Sequence, residues 1–273
     1  MKKLTTGLKY AVLIVAAFVS IFPFFWMVLS MTNETVDIIT GKMMIGKEFM
    51  TNLTNLMTND LGFQRAVVNS SVIAIITTFF SLLLSSMAGY GFEIYRSPKK
   101  EWLFNLLLLS MMVPFSAMMI PLYTMFSKMS PSMFGINTLF SVIIPSVCTA
   151  FTIFLFRQNI KSFPKSLVEA ARIDGLGELA IFFKIYMPTA KNIYAAAAII
   201  TFMSSWNNYL WPLVALQSPE KRTVPLVLSA MGSSYTPDYG MMMTGIVIAT
   251  LPIAVIFFML QKQFVQGMLG SVK

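Results

Sequence analysis

Six long apolar runs, each bounded by polar or charged residues, divide this chain at approximately residues 10–31, 66–92, 102–126, 138–156, 187–214 and 240–260. A helix rising 1.5 Å per residue needs roughly 20 apolar residues to cross about 30 Å of hydrocarbon. Each run supplies close to that length, so the pattern predicts six transmembrane helices in one membrane domain over residues 1–273. Prolines fall inside several runs (Pro23, Pro114, Pro121, Pro145, Pro212, Pro252) and predict kinks. The polar, Asn- and Thr-rich stretch 32–65 has room for a short helix but lacks the apolar mass for a core of its own. The first run follows Lys2, Lys3 and Lys9, as in a secretory signal. It exceeds the about 7–15 residues of a signal's apolar region, and no A-x-A-like site follows closely, so it reads as a retained span.

Composition agrees with lipid as the solvent: 56% of residues are hydrophobic, 11% are charged, and the mean hydropathy is +0.73. The net charge of +9 does not indicate nucleic acid, because the basic residues punctuate apolar runs instead of lining a wet face. It reads as topology. With both termini cytoplasmic, fourteen of the 20 lysines and arginines fall on the inside, at the N-terminus, in the second and fourth loops and at the C-terminus.

Chemistry is excluded early. There is no His, and the single Cys148, read as a small buried residue, closes no intrachain disulfide and builds no thiolate cluster. The runs as bounded contain no Asp or Glu, which argues against an intramembrane acid–base enzyme and against a proton- or sodium-coupled transporter. The stretch GKMMIGKE at 41–48 fits G-x-x-x-x-G-K but puts Glu48 where Ser or Thr should meet magnesium, so no ATPase is encoded here.

The segment FPKSLVEAARIDGLGELAIFFKIYMP, 163–188, is long for a link between spans and is patterned like two helices. After Pro164, Lys165, Glu169 and Arg172 share one face, while Leu167, Ala170 and Ala171 share another. Gly175 allows a left-handed stop, and a more apolar helix follows from about 177 to 186. Asp174 sits near a helix C-terminus, where the macrodipole disfavours a carboxylate, so a compensating group is expected. Two readings fit: a helix lying on lipid headgroups, or a docking surface made shallow by the alanines.

Glu169, Ala170, Ala171, Gly175, Ile185 and Pro188 resemble, in identity and spacing, the EAA loop of permease subunits of ABC importers. The string EAARIDG, which includes Arg172 and Asp174, is similar to the carbohydrate branch and its maltose-type second permease subunit. MMVPFSAMMIPLY at 111–123, FLFRQNIKSFP at 154–164 and WNNYLWPL at 206–213 extend the likeness over essentially the whole chain. The resemblance implies a type I importer permease fold in a bacterial cell membrane, with loop 157–186 coupling the spans to a separate ATPase. It also implies a second, related permease, two ATPase subunits, an extracytoplasmic sugar-binding protein, a carbohydrate substrate, and ATP and magnesium held by the ATPase alone. The tail carrying Gln266, Gly267 and Lys273 is similar to one that reaches the ATPase pair. Trp206, Asn207, Asn208, Tyr209 and Trp211 form an aromatic–amide cluster suited either to stacking and hydrogen-bonding a sugar or to an interfacial aromatic belt. The 23 methionines read as adaptable packing between helices.

Overall fold

The computed structural model describes residues 2–269, with side chains over 6–265, and the described residues are helical without a strand. In chain order the helices are α1 (Lys2–Ser30), α2 (Thr35–Ile39), α3 (Phe49–Thr58), α4 (Phe63–Ile94), α5 (Pro98–Ser110), α6 (Phe115–Lys128), α7 (Leu139–Val147) and α8 (Ala150–Lys161). There follow α9 (Lys165–Ile173), α10 (Glu178–Ile181) with a π-turn at Phe182–Tyr186, α11 (Met187–Thr189), α12 (Lys191–Trp206), α13 (Leu210–Ala215), α14 (Val224–Gly232) and α15 (Tyr239–Leu269).

Four of the six predicted runs appear as helices long and apolar enough to cross a bilayer: Thr6–Ser30, Phe63–Ile94, Leu139–Lys161 and Tyr239–Val265. The third becomes a pair, Pro98–Ser110 and Phe115–Lys128, bent by 101°. Pro114 explains the bend, since it lacks an amide hydrogen and stands in extended backbone at the N-cap of α6. The fifth run is also broken. Its helix α12 has 16 residues and ends at Asn207, and the chain resumes as the six-residue α13. Polar Asn207 and Asn208 interrupt the apolar pattern there, and Pro212 cannot donate back across the gap. Pro23 and Pro252, by contrast, lie inside continuous helices.

The chain forms two compact units. The first contains the chain up to Gln64 together with Val227–Pro252. Here the polar stretch after α1 is pinned by two amides. Asn33 Nδ2 donates to Leu29 O (2.9 Å) and Met44 O (2.8 Å), and Asn52 Nδ2 donates to Met31 O (3.0 Å) and Asn33 O (3.1 Å). Gly240 lies so close to Asn52 that a Cβ would come within 2.6 Å of its amide. Gly46 serves the same close approach: a Cβ there would meet Thr32 O at 2.1 Å, and its N–H donates to Thr32 Oγ1 (2.9 Å). The glycines of GKMMIGKE are therefore explained by chain packing and turn geometry, with Gly41 at φ 75°.

The second unit contains Arg65–Leu226 and the chain from Ile253 onward. Its centre is the crossing of α4 and α8. Ser85 and Thr152 share a hydrogen bond of 2.8 Å, and a Cβ on Gly89 would stand 2.9 Å from both Phe156 Cβ and Arg157 N. Cys148 is exposed, correcting the expectation of a buried thiol. It caps α7 with non-helical backbone at the break before α8, where no packed face surrounds it.

Replacing Asn52 by Leu should strand the buried carbonyls of Met31 and Asn33 and cost about 1–3 kcal/mol. Thermal unfolding of the detergent-solubilised protein checks this, and an unchanged midpoint would show that the amide pins nothing.

Candidate functional site

The loop after α8 folds into a helical hairpin, and local chemistry sets each part of it. Gly175 has φ 81°; its N–H donates to Arg172 O (3.0 Å), and the N–H of Leu176 donates to Ala171 O (2.9 Å). This pair of bonds is a Schellman stop for α9 and requires a left-handed residue after the C-cap, which here is Asp174. Arg172 Nε donates to Glu178 Oε1 (2.7 Å) and closes the hairpin, with the guanidinium 5.7 Å from the centroid of the Tyr95 ring. The bond from Arg172, supported by Tyr95, holds the Glu178 carboxyl below the usual carboxylate range.

The hairpin has two unlike faces. Val168, Ala171 and Ile181 form a small buried core, against which Leu176 and Ile185 pack. The π-turn directs Phe182 and Tyr186 onto Tyr90 of α4, each with ring centroids 5.4 Å from it, and Phe163 meets Tyr186 at 5.5 Å. Glu169, Ala170, Ile173 and Asp174 face outward, with Ile173 86% exposed. Ala170 and Ala171 therefore do not share a face as the sequence suggested. The inward stripe is Val168 with Ala171, three apart, while Ala170 belongs to the outer surface with Glu169 and Leu167 is 44% exposed. Among the described residues no ion pair reaches Glu169 or Asp174, so the compensation expected for Asp174 does not come from this chain's described ion pairs. Pro188 is exposed within α11.

Beneath the hairpin lies an ionic cluster that the sequence did not reveal. The helix begun at 66 in the apolar pattern runs on to Ile94 and takes in Glu93, which is 2% exposed. That corrects the expectation of runs without a carboxylate. Glu93 Oε2 accepts from Arg96 (2.8 Å) and Arg157 Nε (3.4 Å), while Lys165 Nζ at the start of α9 lies 3.8 Å from Glu93 Oε1. Arg157, 3% exposed, also pairs with Glu101 and lies 4.0 Å from the centroid of Phe104. Glu93 and Arg157 are 64 residues apart, and each alone looks like a boundary charge. The available signal was Gly89, one turn before Glu93, which marks a close helix contact.

The aromatic–amide cluster divides. Trp211 is buried, donates from Nε1 to Ser141 O (2.8 Å) and packs near Phe115 and Phe126. Trp206 is buried and stacks on Phe202 (5.7 Å, 15°). These two are packing residues. Asn207, Asn208 and Tyr209 instead occupy the break after α12 and line a cavity of about 480 Å³ with Ser204 and Pro145. Gln266 and Gly267 lie at the end of α15 beyond the described side chains, and Lys273 lies outside the described residues.

The geometry has a stability consequence. Substituting Met for Arg157 leaves the buried Glu93 without its deepest counter-charge and should cost about 3–5 kcal/mol, whereas Glu93→Leu with Arg157→Leu should cost less than the sum of the single changes. Thermal unfolding of the four proteins measures the coupling; simple additivity would refute it.

Residues 81–270 match the family described as binding-protein-dependent transport system inner membrane component. The chain is 46% identical over 272 residues to the lactose transport system permease protein LacG of Rhizobium radiobacter, covering 100% of this chain and 98% of that protein. It is 38% identical over 206 residues to the arabinooligosaccharides transport system permease protein AraQ of Bacillus subtilis (strain 168), covering 75% and 72% of the two chains. A crystal structure of a bacterial ABC transporter involved in the import of the acidic polysaccharide alginate contains a chain with the same fold. The TM-score is 0.84, with 21% identity and coverage of 97% and 98%.

Proposed function

The chain belongs to the binding-protein-dependent transport system inner membrane component family, and from that membership we propose that it is a permease subunit of an ATP-driven importer for a neutral carbohydrate. The relatives named for lactose and arabinooligosaccharides support a saccharide substrate. As an inner membrane transport component, the chain is not an enzyme. It pairs with a second permease, is driven by two copies of an ATPase that hold ATP and magnesium, and receives sugar from an extracytoplasmic binding protein. Counting the bent third and broken fifth runs as crossings gives six, with both termini cytoplasmic, in agreement with fourteen of 20 basic residues on that side.

The observation that carries this reading is the division of the hairpin at 163–188. Its inner face is fastened to α4 and α8, while Glu169, Ala170, Ile173 and Asp174 present a shallow, mixed surface with no described ion pair. Such a surface fits a protein cleft. Movement of the ATPases would be delivered through Lys165–Glu93 and the Tyr90 aromatic cluster to the spans, rocking them between inward- and outward-facing states. The break at Asn207–Tyr209 and the cavity beside it form part of the path.

In the reconstituted complex, Glu169→Lys should reduce ATPase co-purification or sugar-stimulated hydrolysis by at least about tenfold through lost and reversed charge. Gly175→Pro, which cannot adopt φ 81°, should do the same while the protein still inserts. Normal transport by both variants would remove the coupling assignment.

A further inference from the structure

Beside the break after α12, the second unit holds a further cavity of about 360 Å³, walled by α4, α8 and α12. Its lining includes Thr77 and Ser81 from α4, Thr201 and Ser204 from α12, Asn208 and the ring of Phe151. No Lys, Arg, Asp or Glu lines it. The side-chain oxygens of Thr77, Ser81 and Thr201 are buried and have no hydrogen-bond partner among the described residues.

That is unusual for hydroxyls on a helix. Ser and Thr ordinarily satisfy themselves by donating to a carbonyl three or four residues back. Neighbours on the same helix do so: Ser71 Oγ donates to Val67 O (2.7 Å) and Ser86 Oγ to Leu83 O (3.0 Å). Thr77, Ser81 and Thr201 converge on one cavity and do not. Buried polar groups are costly unless paired, so a floor of three such hydroxyls suits a ligand that both donates and accepts. A polyol does this. A carboxylate or phosphate needs a cation or several N–H donors, and the lining provides one amide side chain and no positive charge.

We propose that this cavity is a saccharide subsite contributed by this permease itself, in which Thr77, Ser81 and Thr201 form the floor, Ser204 and Asn208 form the rim, and the absence of a lining cation selects neutral sugars over uronates and sugar phosphates. The proposal deepens the importer reading and rests on it. It also assigns the recognition to a hydroxyl row that includes neither Trp206 nor Trp211. Phe151 supplies the apolar face against which the C–H side of a sugar ring rests.

The experiment is uptake into proteoliposomes by the full complex, with a panel of radiolabelled neutral mono- and oligosaccharides and their uronic-acid counterparts. Wild type is compared with Thr201→Val, Ser81→Ala and Ser204→Arg, with co-purification of all subunits as the assembly control. Each of the first two removes a hydroxyl at nearly constant volume and should raise KM for the transported sugar about tenfold, with a smaller change in maximal rate. Ser204→Arg should abolish uptake of the neutral sugar or shift preference toward the uronate. Unaltered KM in Thr201→Val and Ser81→Ala, or wild-type uptake of uronates as efficient as of neutral sugars, overturns the subsite while leaving the importer reading standing. Wild-type uptake of no sugar in the panel overturns both.

Discussion

The second unit depends on how closely α4 can approach α8. In lipid, apolar surface gives helices little reason to associate, so packing relies on small residues and on polar contacts between helices. Helix α4 carries Thr77, Ser81, Ser85, Gly89 and Glu93 at intervals of four, a single inclined row along one side. Ser85 bonds Thr152, Gly89 admits the backbone of Arg157, and Glu93 meets the Arg157 guanidinium. The order matters. A side chain at Gly89 would push α8 away just before the point where two buried charges must reach hydrogen-bond distance, so the missing Cβ is a precondition of the ion pair.

That crossing also gives the hairpin something rigid to pull on. Lys165 reaches the same Glu93 carboxylate that binds Arg157, and Phe182 and Tyr186 press on Tyr90, one residue after Gly89. Inner and outer faces of α9 therefore have separate duties. Val168 and Ala171 hold the helix to its own chain, and the residues between and beyond them face outward. At 1.5 Å per residue, the sixteen positions from Thr77 to Glu93 span about 24 Å. A displacement at the ionic end is thus carried along one helix to the hydroxyl floor.

Much of this was legible in the sequence because lipid imposes a simple length rule. Uninterrupted runs gave α1, α4, the α7–α8 span and α15 close to their observed limits, and the Gly175 stop was readable because only one residue type takes a left-handed turn without strain. The third and fifth runs were drawn as single spans because apolar composition does not register where hydrogen bonding fails. Pro114 and the Asn207–Asn208 pair break the ladder without lowering hydropathy enough to show. The two alanines of the EAA string could not be assigned to opposite faces until the position of α10 showed which side was covered. Glu93 with Arg157 was hidden for a different reason. Pairing across 64 residues is a property of the fold, and each charge alone had a sufficient explanation as a span boundary. Trp211 likewise looked like a sugar-stacking group until Ser141 claimed its N–H.

The distribution of polarity along the α4 row follows from what each end must do. Fixed charge is expensive in a bilayer and becomes tolerable near an interface, where it can be paired and partly hydrated. The cluster of Glu93, Arg96, Glu101, Arg157 and Lys165 lies at the ends of α4 and α8 and at the start of α9, with Glu101 and Lys165 partly exposed. Further along the row only hydroxyls occur, polar enough to meet a sugar and neutral enough to sit within a span. A charge placed at Thr77 or Ser81 would need its own buried partner, and that partner would then compete for every anionic or cationic solute that entered. Keeping charge at the coupling end and hydroxyls along the path lets one helix transmit force at one end and remain indifferent to ions at the other.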